Sequence, residues 1–380
     1  MKLLHITPEA PDFNSGGSIG VAQTLISLTL NGYSVDYIGP EINNSEYKKK
    51  YNKLYELTPT DNFLIRTADF FRGITNRRYH AWRNLSIDFD TYDAIILDFT
   101  KQSYILEKVP PEKLYVRVHN VEVDFADRDY KTDKTLKKFL VRLLAKRNEK
   151  KLVCAAHCLV MLTEHDIRKI EMLYGEIQSK IIVPVCVADN GAKFTENGKI
   201  IEEIRLLITG SLWYGENCNG IIWFIENVCP LIKSKFKLTI AGSRPSDKLK
   251  ELIKSKNFLK LIDSPKEMKP YFEESDLVIA PIFNGAGMKV KVAESLSYGK
   301  PIVGTVHAFE GYKISNGINS YLANTKEEFA AAVDKYAQMS TVERKNMFDA
   351  VRKLFSENYA LNTSQNIWKN ILEKVNMEES

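Results

Sequence analysis

A glycine-containing turn between two apolar segments carries the charged side chains with the clearest chemistry in this 380-residue chain. The turn, residues 284–287, follows a predicted buried strand, and a predicted helix begins near Met288 and ends at Gly299. Glycines let the backbone approach an anion closely, and a helix N-terminus offers unpaired N–H groups. The pattern therefore suits the binding of a nucleoside diphosphate.

Three charged residues lie in the first turns of that predicted helix. Lys289 and Lys291 fall in its first turn, where the helix dipole disfavours cations unless an anion or free solvent compensates. Glu294 comes one turn later, where a carboxylate can accept hydrogen bonds from the two hydroxyls of a ribose. A solvated helix with ordinary surface charges is the alternative, and spacing alone does not choose between the two.

A second group of candidates follows two predicted strands in the first half of the chain. His119 and Asn120 come directly after strand 114–118, and Asp98 follows strand 94–97. Ligands of parallel sheets bind at the carboxyl ends of the strands, so these side chains are candidates for contact with a ligand. His119 can hydrogen-bond a hydroxyl group of a ligand or act as a base, and a structural histidine is the alternative.

The glycine-rich segment 14–20 joins the first predicted strand to the first predicted helix. It is not a G-x-G-x-x-G fingerprint, because residues 18 and 19 are not glycines, and no Gly-Lys-Ser/Thr follows to make a Walker loop. A dinucleotide-dependent oxidoreductase is therefore poorly supported.

The elements that position these residues form two sets of alternating strands and helices. The first set has strands 2–7, 34–38, 94–97, 114–118, 158–162 and 181–187, with helices 19–31 and 135–153. The second has strands 205–209, 237–241, 259–263, 277–280 and 302–305, with helices 220–234, 247–255, 268–274, 290–298, 326–338 and 342–355. This alternation predicts an α/β protein with two doubly wound parallel sheets that face a cleft. We expect an N-terminal domain over 1–190, a second domain over 200–360 and a C-terminal helix within 361–380 that crosses back to the first domain.

The segment 280–305 resembles the donor-nucleotide motif of GT-B glycosyltransferases, specifically that of the large GT4 family. The matching residues are Gly287, Lys291 and Glu294, followed by Leu296, Gly299, Pro301, Ile302 and Val303. Residues 209–214 and 241–245 resemble further parts of the same domain, and the resemblance covers about residues 203 to 325.

The resemblance implies a nucleotide-sugar site built from Gly16, Gly17, Gly210, Ser211, Arg244, Ile262, Gly285, Ala286, Gly287, Met288, Lys289, Lys291 and Glu294. It also implies catalytic roles for His119, Lys291 and Glu294, and acceptor contacts for Asp98, His119 and Asn120. A plain turn at Gly16 and Gly17 and a surface role for Arg244 are the alternatives. The family carries a glutamate at position 286 that touches the donor sugar, so Ala286 leaves sugar selection and stereochemistry open.

Composition and charge limit the partners. The chain is 44% hydrophobic and 27% charged with a formal charge of +5, which is typical of a globular protein and indicates no nucleic-acid partner. Five irregularly spaced cysteines, and no predicted signal peptide or membrane span, favour the cytoplasm. Segments 70–83 and 131–151 interleave cations with apolar residues, which suits an anionic membrane surface or a lipid-diphosphate acceptor. The alternatives are a solvated basic face for segment 131–151 and a nucleic-acid patch for segment 70–83.

We therefore expect a glycosyltransferase of the hexosyltransferase class, retaining and independent of metals and cofactors. It would use a nucleotide-sugar, UDP-linked, as co-substrate and a glycan or lipid-linked acceptor in bacterial-type surface polysaccharide synthesis. It would work in the cytoplasm, peripheral to the inner face of the membrane. Two alternatives stay open: a GT-B nucleotide-sugar epimerase, and a non-catalytic nucleotide-binding protein of Rossmann type.

Overall fold

The computed structural model describes residues 1–12, 16–194, 202–213, 215–285 and 287–378, and the chain divides into two compact units. Unit 1 comprises Met1–Pro184 and Ser364–Ser380, and unit 2 comprises Val185–Thr363. Each unit contains one sheet of parallel strands connected by helices, so the predicted α/β class is confirmed in both. Of the predicted boundary segment 190–200, residues 195–200 lie outside the described residues.

Seven parallel strands form the sheet of unit 1 in the order β3-β2-β1-β4-β5-β6-β7. They are β1 (Lys2–Ile6), β2 (Ser34–Gly39), β3 (Leu54–Glu56), β4 (Ala94–Asp98), β5 (Leu114–Val118), β6 (Cys158–Met161) and β7 (Lys180–Ile182). Leu4 and Ile6 pack in one core and Leu3 in another, so β1 is covered on both faces. The strand order reverses between β1 and β4, which makes their carboxyl ends a ligand position in folds of this kind.

Seven helices of unit 1 precede its last helix in the described chain. They are α1 (Gly16–Leu30), α2 (Ser45–Lys48), α3 (Phe63–Phe71), α4 (Tyr79–Arg83), α5 (Glu122–Thr132), α6 (Leu136–Ala155) and α7 (Glu164–Tyr174). The last helix, α14 (Leu361–Glu378), starts in unit 2 and joins unit 1 from Ser364 onward. The Ser364 hydroxyl lies 2.8 Å from that of Ser27, and Trp368 is fully buried in a core of this unit.

Six parallel strands form the sheet of unit 2 in the order β10-β9-β8-β11-β12-β13. They are β8 (Ile204–Ser211), β9 (Phe236–Ser243), β10 (Leu259–Asp263), β11 (Leu277–Ala280), β12 (Ile302–Gly304) and β13 (Tyr321–Leu322). The helices are α8 (Gly215–Trp223), α9 (Asp247–Lys254), α10 (Lys269–Glu274), α11 (Val290–Ser297), α12 (Lys326–Ala337) and α13 (Thr341–Asn358). The order reverses between β8 and β11, so the loops that follow these two strands border the ligand position of this sheet.

Two predicted elements differ most from the structure. The helix predicted over 220–234 is α8, which begins at Gly215 and ends at Trp223; a wider π-type turn (Phe224–Val228) and a 3₁₀ turn (Cys229–Leu231) follow. Pro230 lacks an N–H group, which is one reason why the regular helix does not continue. The strand predicted over 181–187 is only β7, which ends two residues before Pro184. Within the described residues, no helix combines the length and the apolar character that a membrane span requires.

Candidate active site

The glycine turn of unit 2 joins the end of β11 to the start of α11. Gly285 and Gly287 have φ angles of +124° and +66°, in the region that favours glycine because a side chain there is strained. Helix α11 begins at Val290, where the predicted range 290–298 begins and two residues after Met288, with Lys289 at its N-cap and no side chain capping it. The Lys289 ammonium donates to the Gly287 carbonyl at 2.5 Å. Ala286 lies outside the described residues.

Lys291 lies close to the loop that follows β8. Its Nζ donates to Asn217 Oδ1 at 3.3 Å, and the Asn217 amide donates in turn to the Ser211 carbonyl at 3.1 Å. Nζ also lies 2.6 Å from the point that a Cβ on Gly210 would occupy, so Gly210 has to lack a side chain. The structure thus brings together Gly210, Ser211 and Lys291, which are three of the predicted nucleotide-sugar residues.

Burial shifts the pKa of each of the two charged residues of α11. Burial lowers the pKa of Lys291 to about 8, although nearby Glu294 opposes the shift. Burial also raises the pKa of Glu294, against the effect of Lys291. A partly desolvated ammonium gains more from an anionic partner than one in water does. These two residues therefore form a site whose charges a bound anion with hydroxyl groups would stabilise.

Arg244, Ile262 and Met288 occupy different positions around this site. Arg244 follows β9, is exposed, stacks its guanidinium 4.6 Å above the Trp213 ring and has a φ of +53°. Ile262 is a half-buried residue of the edge strand β10. Met288 is buried, and its sulfur lies 3.4 Å from the Val185 backbone nitrogen, so it packs within the unit.

The candidate residues of unit 1 meet at the carboxyl ends of β1, β4 and β5. The Asp98 carboxylate lies between two imidazoles, with Oδ2 at 2.5 Å from His5 Nε2 and Oδ1 at 2.7 Å from His119 Nε2. The Thr24 hydroxyl also donates to Oδ1, at 3.3 Å. Burial alone would raise the pKa of Asp98, but the charge interactions and hydrogen bonds of the two histidines hold that pKa below its usual value.

This arrangement fixes the tautomer of His119. An ionised Asp98 only accepts hydrogen bonds, so His119 Nε2 carries the proton. Burial lowers the pKa of His119, which favours the neutral ring and leaves a lone pair on Nδ1. The ring stacks on Phe99 with 4.3 Å between centroids. A Cβ on Gly20 would lie 2.6 Å from Nδ1, so the ring fits only because residue 20 is glycine.

The other predicted residues of unit 1 surround this histidine less closely. Gly16 and Gly17 are the first residues of α1, which begins three residues earlier than predicted. A Cβ on Gly17 would lie 2.5 Å from Glu9 Oε2, whereas Gly16 has open space around it. Asn120 is half-buried in the bend between β5 and α5. Asp98 is fully buried, so it would act on an acceptor through His119 and not by direct contact.

Several residues of both sites were absent from the sequence prediction. In unit 1 they are His5, Thr24 and Glu122. Burial raises the pKa of Glu122 to about 7, and Glu122 Oε1 lies 3.5 Å from Lys101 Nζ. In unit 2 they are Asn217, which holds Lys291, and Glu216 beside it. Each of these was missed as a site residue because it joins its site through a contact between segments distant in sequence.

Comparison with known proteins gives a family model that matches part of the chain and a curated relative that matches nearly all of it. Residues 203–339 match the family model "Glycosyl transferases group 1". A protein of Klebsiella pneumoniae, described as an uncharacterized 44.6 kDa protein in the cps region, is 24% identical over 94% of this chain and 96% of its own length. The residues that match the family model all lie in unit 2.

Solved structures extend the similarity to the whole chain. Sucrose-phosphate synthase from Thermosynechococcus elongatus has a TM-score of 0.74 at 11% identity and covers 100% of both chains. WaaG, a glycosyltransferase involved in lipopolysaccharide biosynthesis, has a TM-score of 0.68 at 12% identity, covering 97% of this chain and 99% of its own. HepE of Anabaena, in complex with UDP and glucose, has a TM-score of 0.65 at 12% identity, covering 98% and 100%.

The chain therefore has the predicted GT-B fold, and the predicted resemblance to glycosyltransferases of this group is confirmed. Its assignment to the GT4 family and the roles of its individual site residues stay predictions. In the part of the chain that the structure describes, no group of three or more His, Cys, Asp or Glu side chains is placed to hold a metal ion.

Proposed function

We propose that this glycosyltransferase moves a sugar from a UDP-sugar to a glycan or lipid-linked acceptor in surface polysaccharide synthesis. The observation that carries the proposal is Lys291, a cation whose pKa burial lowers to about 8, held beside Gly210 and near the start of α11. A diphosphate at this point would compensate the ammonium and contact the N–H groups of the helix. The HepE structure, which holds UDP, supports the choice of nucleotide.

The proposal gives each residue of unit 2 a task on the donor. The diphosphate would bind to Lys291, to the backbone at Gly210 and Ser211, and to the turn at Gly287, with Arg244 as a further cation. Gly285 and Lys289 would lie where the donor continues from the diphosphate into the sugar. Glu294 would accept hydrogen bonds from the ribose hydroxyls. The backbone at Ile262 would contact the base, and Met288 and Ala286 would shape the turn.

In the chemical step of this proposal, the oxygen of an acceptor hydroxyl bonds to the anomeric carbon while the bond from that carbon to the diphosphate oxygen breaks. Attack occurs on the face from which the diphosphate departs, so configuration is retained, and the hydroxyl proton passes to the leaving diphosphate. Lys291 would stabilise the charge that develops on the leaving diphosphate, which would remove the need for a metal ion. Asp98 fixes the orientation of His119, whose Nδ1 would accept a hydrogen bond from a hydroxyl of the transferred sugar or the acceptor. Asn120 would line the same position.

An exposed apolar surface on unit 1 supports a lipid-linked acceptor. Phe63 and Leu64 of α3 are each 76% exposed and Phe71 is 79% exposed, while Leu136 of α6 is 73% exposed. Helix α3 ends against α6, because the Asn148 amide donates to the Gly73 carbonyl at 3.3 Å. Arg66 and Arg72 are exposed on the α3 side.

Part of the predicted basic face is neutralised within the protein. Lys138 and Arg142 of α6 pair with carboxylates of the preceding helix and loop. Lys137, Lys146 and Arg147 are exposed on α6, and the described residues provide no carboxylate within 4 Å of them. Exposed apolar side chains flanked by cations are the pattern that binds anionic lipid at a membrane interface.

The donor assignment is tested by thermal shift and calorimetry with UDP-, GDP-, ADP- and CMP-sugars, since a ligand of the folded state raises its melting temperature. We expect binding to one UDP-sugar and loss of that binding in Lys291→Ala. Incubation with lipid-linked acceptor, followed by mass spectrometry and NMR of the anomeric centre, then tests transfer and retention. An isomerised nucleotide-sugar would identify an epimerase instead, and binding without any product would identify a binding protein.

The membrane surface is tested separately with vesicles that contain phosphatidylglycerol. We expect the protein to sediment with these vesicles at low salt, and Leu64→Ser with Phe71→Ser to release it. Val342→Ser is the matched control, because Val342 is 68% exposed on α13 of the other unit. Equal sedimentation of all variants would contradict this part of the proposal.

A further inference from the structure

Glu216 places a buried carboxylate oxygen at the glycine turn of unit 2. The residue lies in the first turn of α8, and its side chain is half-buried. Its Oε2 is buried and has no hydrogen-bond partner among the described residues. A carboxylate oxygen is a strong acceptor, and removing it from water without a donor costs free energy. The position therefore favours a ligand that donates a hydrogen bond.

The oxygen faces a space that exists because residue 285 is glycine. Oε2 lies 3.3 Å from the point that a Cβ on Gly285 would occupy. The Cε atom of Lys289 and the Nε2 atom of His307 lie 3.6 Å and 3.9 Å from the same point, and His307 Nδ1 lies 3.8 Å from Glu310 Oε2. Side chains from α8, the N-cap of α11 and the loop after β12 thus surround one small position.

Two neighbouring residues in the first turn of α8 would act on different parts of the donor. Asn217 accepts a hydrogen bond from Lys291, the proposed partner of the diphosphate. Glu216 is the preceding residue, and its negative charge would repel a phosphate. The part of the donor that Glu216 faces should therefore be uncharged and rich in hydroxyl groups. In a nucleotide-sugar that part is the sugar ring.

We propose that Glu216 accepts a hydrogen bond from a hydroxyl of the transferred sugar and selects donors that carry this hydroxyl. This inference rests on the proposed function, because it requires a nucleotide-sugar in this site. The glycine turn itself, residues 284–287, contains no carboxylate, so the carboxylate that would accept this hydrogen bond comes from α8. A donor without the hydroxyl leaves the buried oxygen unpaired, which is the basis of strong discrimination by polar sites.

The test compares UDP with UDP-glucose, UDP-galactose and UDP-N-acetylglucosamine by calorimetry, in wild type, Glu216→Ala and Glu216→Gln. We expect UDP to bind all three proteins within a factor of two. The UDP-sugar that binds wild type most tightly should lose about tenfold or more in Glu216→Ala. The loss should be smaller in Glu216→Gln, which keeps one acceptor oxygen. Monodeoxy analogues of that sugar should identify one hydroxyl whose removal weakens wild type but not Glu216→Ala.

Glu226→Ala is the control, because Glu226 is an exposed acid in the turns that continue from α8. Unchanged sugar affinity in both Glu216 variants would overturn the inference, and so would an equal loss for UDP and for the UDP-sugar. The latter result would show that Glu216 supports the loop or the diphosphate site. Failure of wild type to bind UDP or any UDP-sugar would instead contradict the proposed function.

Discussion

The charged residues at the carboxyl ends of the two sheets differ in how fully other groups of the protein compensate their charge. In unit 1, Asp98 is fully buried and receives hydrogen bonds from His5, His119 and Thr24. In unit 2, Lys291 is half-buried and its described hydrogen bond is to the neutral amide of Asn217, at 3.3 Å. The first charge is compensated inside the protein, and the second is compensated only weakly.

The candidate site of unit 1 is therefore formed before a ligand binds, whereas that of unit 2 would be completed by its ligand. The hydrogen bonds around Asp98 hold His119 in one tautomer and one orientation before any substrate arrives. The cation on Lys291 instead has a free-energy cost until an anion binds, which would couple its charge to binding of the proposed donor. Substitutions in unit 1 should therefore change stability most, and substitutions in unit 2 should change affinity most.

The largest effect should come from Asp98→Ala. Removing the carboxylate leaves His5, His119 and Thr24 without their buried partner, which we expect to lower the free energy of unfolding of unit 1 by about 3 kcal/mol. Urea unfolding followed by circular dichroism measures the change. Asp90→Ala is the control, because Asp90 is exposed and should change stability by less than about 0.5 kcal/mol. If Asp98→Ala changed the free energy of unfolding as little as the control does, Asp98 would not be a stabilising residue and the contrast between the two sites would be wrong.

Lys291→Ala should have the next largest effect, and it should appear in affinity. Loss of a charge-assisted hydrogen bond to the diphosphate costs about 2 kcal/mol, or roughly 30-fold in the Kd for UDP. The melting temperature without ligand should stay equal or rise, because a partly buried cation has been removed. Calorimetry and thermal unfolding measure both quantities, with the exposed Lys254→Ala as control. A lower melting temperature with unchanged UDP affinity would assign Lys291 a structural role.

The lowered pKa of Lys291 predicts that UDP binding weakens in base. With a pKa of about 8, the ammonium is mostly lost by pH 9, so UDP affinity should fall about tenfold per pH unit above 8. Lys291→Arg keeps its charge and should flatten the profile between pH 7 and 9.5. Calorimetry across this range makes the test, and an equally steep fall in Lys291→Arg would show that another group titrates.

Stability should respond to the same titration in the opposite direction. The folded pKa of Lys291 lies below its ordinary value of 10.5, so between about pH 8 and 10.5 the unfolded state binds more protons and stability rises with pH. Burial also lowers the pKa of Lys300 to about 8, but this ammonium donates to the Ser275 carbonyl at 2.7 Å. Lys300 should contribute to the stability profile and not to the UDP profile.

How much could be predicted from the sequence differs between the two sites. The turn at Gly285 and Gly287 and the helix bearing Lys291 and Glu294 follow local rules, since glycines, helix-forming residues and a stop at Gly299 lie within one short segment. The prediction of this segment was accordingly close, with a helix start within two residues of the observed one. His119 and Asp98 were found because they end their strands.

The missed residues depend on contacts that no local pattern contains. His5 lies inside an apolar strand, and only the pairing of β1 with β4 brings it to Asp98, 93 residues away. Glu216 has the sequence context of an ordinary first-turn acid, and its position at Gly285 depends on how α8 packs near the turn. The aromatic-basic segment 70–83 was predicted as a surface patch, but Tyr79 and Trp82 are buried in the core of unit 1.

The smallest predicted effect tests whether Glu294 binds the ribose. Burial raises the pKa of this carboxyl, so hydroxyl donors that stabilise its ionised form should contribute about 1 kcal/mol, or roughly fivefold in UDP affinity. Glu294→Ala should lose this factor for UDP and lose nothing for 2′,3′-dideoxy-UDP, and Glu251→Ala, exposed on α9, should change neither affinity. If Glu294→Ala lowered the affinity for both nucleotides equally, Glu294 would act through Lys291, whose charge it faces across one helical turn. Binding in unit 2 would then depend on the ammonium of Lys291 and the diphosphate alone.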